Sequence, residues 1–77
     1  MNKAKSPVTS KEWKEIGERI RDIREQKNLT QENVADETGI TSSYFARIER
    51  GEERPKIDVI KSIVKALKIK TSNILPF

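Results

Sequence analysis

Seventy-seven residues, 34% hydrophobic and 36% charged, are enough for one domain and one small core. The absence of cysteine and histidine removes disulfides, thiolate and imidazole metal sites, cysteine nucleophiles and histidine acid–base catalysis. The net charge of +4 suits a polyanionic partner, but the charge is unevenly spread. Residues 1–30 carry eight basic and five acidic side chains, residues 31–55 three and six, and residues 56–77 five and one.

The first eight residues read as a flexible N-terminal arm, with Pro7 opposing helix before it, and residues 9–77 as the folded domain. The arm lacks the apolar stretch of a signal peptide, and no run approaches the ~18 apolar residues that span a bilayer. A cytoplasmic protein with no membrane partner is therefore expected. Thr9 and Glu12 have the spacing of a capping box, which starts a first helix near Ser10. Trp13, Ile16, Ile20 and Ile23 recur at helical spacing, and Asn28 suits a left-handed stop. Gly17, on the inward side, leaves room for close packing, and Leu29 anchors the connection that follows.

The next stretch, TQENVADETGITSSYFARIERG from Thr30 to Gly51, is the most informative. Apolar side chains at Val34, Ala35, Ile40, Phe45 and Ile48 predict two short helices, over 31–37 and 42–49. Thr30 and Thr41 are good N-caps, Ala35 permits close helix crossing, and Gly39 supplies the turn. Two capped helices in this register form a helix-turn-helix, the unit that reads DNA. Gly51 ends the third helix, and a polar loop follows around Pro55. A fourth helix over 57–67 should turn Ile57, Ile60, Ile63, Val64 and Leu67 to the core. Thr71, Ser72 and Asn73 cap a last short turn holding Ile74 and Leu75, which Pro76 cuts off. The fold class expected is all-α, a compact five-helix domain.

On these residues the chain resembles the phage repressor and Cro-like (XRE) helix-turn-helix family. The resemblance runs from IGERIRDIREQKNLTQENVADETGI through TSSYFARIERGEERPKIDVIKSIVKAL. Its most specific pieces are R-x(4)-L-T-Q (Arg24 to Gln31), A-x-x-x-G (Ala35 to Gly39) and I-E-R-G (Ile48 to Gly51). In size the chain is similar to small stand-alone repressors and to the controller proteins of restriction–modification systems. Thr38 departs from an aliphatic position of the pattern, and Lys56 from the serine that caps the fourth helix.

The resemblance implies that the third helix lies in the major groove, with Ser42, Ser43 and Arg47 meeting base edges. Arg47 is the best reader, since its planar fork can donate twice to guanine. Gln31, Tyr44, Arg50, Arg54 and Lys56 are the expected phosphate contacts, Gln31 from a helix N-terminus that welcomes an anion. Lys3 and Lys5 could track the backbone from the arm. Arg24 and Glu49 are a pair of positions that the family commonly joins, a structural rather than a reading pair.

A unit this small contacts too few base pairs to select a site in a genome, so a homodimer on a symmetric operator is expected. Val59, Ile69, Ile74, Leu75 and Phe77 supply apolar material for an interface near the C-terminal end. No cofactor or small-molecule ligand is expected, and a regulatory protein is the other candidate partner besides double-stranded DNA. The rival reading is an antitoxin or adaptor acting mainly by protein–protein binding, to which the net acidic motif lends weight. An enzyme is the poorest reading, because helical Glu and Lys supply no convergent site.

Overall fold

Threonine starts three of the four helices in the computed structural model, which describes residues 7–77. Lys3, Lys5 and the rest of the first six residues lie outside the described residues. Helix α1 spans Ser10–Gln26, α2 Gln31–Thr38, α3 Ser42–Glu49 and α4 Ile57–Leu67. The hydroxyls of Thr9, Thr30 and Thr41 accept from the backbone N–H of Glu12, Asn33 and Tyr44, satisfying donors that a helix start leaves open. Glu12 and Asn33 reach back to the N–H of Thr9 and Thr30, closing two capping boxes. Lys56 caps α4 without a side-chain hydrogen bond, as its departure from serine implies.

All four helices end the same way. A left-handed residue follows each one: Asn28, Gly39, Gly51 and Lys68, with φ of 58, 77, 76 and 57°. The next N–H then reaches back five residues: Leu29 to Arg24, Ile40 to Ala35, Glu52 to Arg47 and Ile69 to Val64. The apolar residues Leu29, Ile40 and Ile69 fold onto the core in the same movement.

Five helices were expected, and four α-helices stand among the described residues. The last element is a single 3-10 turn, Thr71–Asn73, because only seven residues separate the left-handed Lys68 from Pro76. That turn drives Ile74 into the core, where it is fully buried.

The core is one cluster: Ile16 and Ile20 from α1, Val34 and Ala35 from α2, Phe45 and Ile48 from α3, the α4 stripe of Ile60, Ile63, Val64 and Leu67, and Ile74. Each large member contributes roughly 1.5–3 kcal/mol by leaving water. Trp13, Ile23 and Val8 are partly buried against it, Val8 although the arm was expected to run that far. Ile57 does not join the core as expected. It is 68% exposed, being the first residue of α4 and one turn before the buried stripe begins. Thr38 donates its hydroxyl to the carbonyls of Val34 and Ala35, so its polar atom is satisfied within α2. α1 and α4 flank the α2–α3 pair, α1 packing on α3 and α4 on α2. Gly17 makes the α1–α3 approach possible, since a Cβ there would fall on the carbonyl oxygens of Ile48 and Glu49.

Candidate nucleic-acid interface

Arg24 and Glu49 fasten α1 to the end of α3. Arg24 Nε donates to Glu49 Oε2 at 2.6 Å and Nη2 to Oε1 at 3.1 Å, while Nη1 reaches the Leu29 carbonyl at 2.9 Å. The Glu49 side chain is 2% exposed, so this is a buried, bidentate pair whose charges satisfy one another. The hydrogen bond with Glu49 raises the Arg24 pKa above its ordinary value, against the opposing effect of burial. Gln31, the first residue of α2, joins this network by donating Nε2 to Glu49 Oε1 at 2.9 Å. Its amide nitrogen therefore points inward, toward the end of α3. This hydrogen bond ties the first residue of α2 to the end of α3, and the Arg24–Glu49 pair ties α1 to the same point.

Next to this network Arg21, Arg24, Gln31, Ala46, Glu49 and Arg50 line a shallow depression of about 350 Å³. Arg21 was missed by sequence reasoning. It lies three residues before Arg24 on the same side of α1 and pairs with Glu25 four residues on, at 3.2 Å, an exposed arrangement with no local signal of a site. The depression thus gathers Gln31 and Arg50 with Arg21, an unforeseen basic side chain.

Along α3, Ser43 and Arg47 stand one turn apart, and Arg47 Nη1 donates to Ser43 Oγ at 3.1 Å. The guanidinium lies 5.7 Å from the centroid of the Tyr44 ring, within cation–π range. Arg47 Nε donates to Glu53 Oε2 at 2.9 Å. Arg50 makes a bidentate pair with Glu52, at 3.0 and 3.1 Å. That hydrogen bonding raises the Arg50 pKa and lowers that of Glu52, so the pair persists until pH falls through the depressed Glu52 value. Three of the six acidic residues in the net-negative motif are therefore matched to arginines, and Glu32, Asp36 and Glu37 remain on α2.

Ser42 is half-buried beside this face. The remaining expected phosphate contacts stand apart from it. Arg54 Nη2 donates to Ser10 Oγ at 2.8 Å, tying the loop after α3 to the start of α1, and Lys56 is exposed at the cap of α4. Of the residues expected at a dimer interface, Phe77 is 68% exposed, and Val59, Ile69 and Leu75 are partly buried. Ile74 is corrected: it is 0% exposed and belongs to the interior of the chain, so it is not on the surface.

The helix-turn-helix family model matches residues 20–74, and the chain belongs to that family. It is 35% identical over 60 residues to the immunity repressor protein of Bacillus phage phi105, covering 78% of this chain and 42% of the repressor. It is 37% identical over 63 residues to the control protein C.BamHI of Bacillus amyloliquefaciens, covering 80% of this chain and 78% of that protein. The structure of C.Esp1396I bound to a 25 base pair operator site superposes with a TM-score of 0.70 at 28% identity, covering 75% of this chain and 76% of that one. The chain spans about two-fifths of the length of the first curated relatives it matches, 38 to 42%. These relatives are repressors, regulators and control proteins rather than enzymes.

Proposed function

We propose that this chain is a sequence-specific DNA-binding transcriptional regulator, a repressor, that sets α3 into the major groove of an operator half-site. The observation that carries the reading is the arrangement of α3. Ser43, Tyr44 and Arg47 form one contacting group, beside an α2 N-terminus held in place by the Arg24–Glu49–Gln31 network. Ser42, Ser43 and Arg47 are the base readers. Gln31, Tyr44, Arg50, Arg54 and Lys56 contact the backbone, with Arg21 added from the depression beside Gln31. The backbone N–H groups of α2, rather than the inward-turned Gln31 amide nitrogen, face the phosphate.

Residues 9–77 are the DNA-binding domain, acting in the cytoplasm where the DNA is. No described helix is long and apolar enough to cross a membrane. The active form is a homodimer joined near the C-terminal end through Val59, Ile69, Leu75 and Phe77, to which exposed Ile57 is added. Two half-sites roughly 34 Å apart then give the selectivity that one helix lacks.

Selection from random duplex DNA by the purified chain, at two salt concentrations, tests this. The expected result is a twofold-symmetric motif whose affinity falls steeply with salt. Weak, salt-sensitive binding to every sequence, with no motif enriched, moves the function to protein–protein binding.

A further inference from the structure

Gly51, at φ +76°, turns the chain back over α3, and the Glu52 N–H then bonds to the carbonyl of Arg47 at 2.9 Å. The fold-back sets Glu53 beside the Arg47 side chain. Glu53 Oε2 takes the Nε proton at 2.9 Å, and Ser43 Oγ takes one Nη1 proton at 3.1 Å. Two of the five guanidinium donors are thereby occupied, leaving three for a ligand. The Tyr44 ring supports the guanidinium at 5.7 Å. A long side chain that would otherwise sample many rotamers is held on three sides. Its side chain remains 40% exposed, and that of Glu53 32%.

We infer that Glu53 is a specificity-determining positioning residue: its carboxylate holds Arg47 in the pose that reads a base and keeps it off the phosphates. The inference rests on the DNA-binding reading above and deepens it. Two physical effects act together. A guanidinium fixed at Nε and Nη1 loses less rotamer entropy when it meets a guanine edge. A carboxylate beside it also repels phosphate, so a register in which Arg47 only touches backbone places Glu53 against like charge. Glu52 serves as the internal comparison. It is the adjacent residue with the same charge, and it pairs with Arg50, whose expected partner is a phosphate.

The test measures affinity for the selected operator and for a random duplex, at several salt concentrations, for the full chain and its variants Glu53→Ala, Glu53→Gln and Glu52→Ala. Both alanine changes raise the net charge by one. Glu53→Ala should lower the ratio of operator to random affinity about tenfold, within the range that one bidentate guanine contact discriminates. Its salt dependence on random duplex should steepen by about 0.9 in log–log slope, one added phosphate contact. Glu53→Gln, which keeps a hydrogen-bond acceptor, should retain more of the ratio. Glu52→Ala should strengthen binding to both duplexes alike. If Glu53→Ala behaves as Glu52→Ala does, or tightens operator and random duplex equally, Glu53 acts only through charge or by masking Arg47, and the inference is overturned. A wild-type chain with no sequence preference overturns the DNA reading and this inference together. A preference left intact by Glu53→Ala removes this inference alone.

Discussion

Arg47 carries the sharpest expectation for a single side chain. Its change to Ala should remove roughly 1–3 kcal/mol of discrimination on the selected operator and change random-duplex binding little. An equal loss on every sequence, read in the same titrations, would make it a phosphate contact. Glu49 is the complementary case, a residue for stability. Glu49→Ala strands the buried Arg24 guanidinium and removes the acceptor of the Gln31 amide, and should destabilise by about 3–5 kcal/mol. Replacing Arg24 and Glu49 together with Met and Leu should recover most of that loss, as urea unfolding would show. The sequence carried the identity of this pair only through the family resemblance. It missed that Gln31 joins the pair, because whether an amide at a helix start points out or in depends on where another helix ends. Glu53 was invisible for the same reason: nothing in local spacing says that a loop residue six positions on returns to Arg47.

Among the helices, ends were more legible than faces. The starts at Thr9, Thr30 and Thr41 and the stops at Asn28, Gly39 and Gly51 are local signals, complete within six residues, and the observed boundaries follow them closely. Lys68 escaped notice because lysine rarely adopts the left-handed conformation it takes at the end of α4. Lys68→Gly should relieve that strain and stabilise by about 0.5–1 kcal/mol, read as a higher urea midpoint with an unchanged slope. Gly17 predicts the reverse sign. Gly17→Ala improves helix propensity but drives a methyl into the backbone of Ile48 and Glu49, and should destabilise by about 1–3 kcal/mol. A Gly17→Ala chain as stable as the wild type would mean that α1 and α3 can separate without penalty.

At the scale of the whole molecule, the chain end divides its apolar residues between two tasks. Ile74 completes the core, while Phe77 and Ile57 stay at the surface around an apolar groove of about 220 Å³ lined by Val8, Trp13, Leu75 and Pro55. The sequence could list Ile74, Leu75 and Phe77 but not sort them, because a three-residue 3-10 turn has no helical stripe from which to read a face. Removing Phe77 together with Leu75→Ala should shift a dimer toward monomer in sedimentation velocity, with operator affinity falling in step. An unchanged sedimentation coefficient would place the interface on another surface.

The groove also holds the only tryptophan of the chain. Its indole nitrogen is buried and has no hydrogen-bond partner among the described residues, so the ring is shielded from water on its polar edge. Trp13 is consequently a built-in optical probe of that groove, with no competing indole signal. If a second copy fills the groove, the emission maximum should move to shorter wavelength as concentration rises through the dimerisation range. Dilution should reverse the shift, so self-association can be followed in unlabelled protein, with or without DNA.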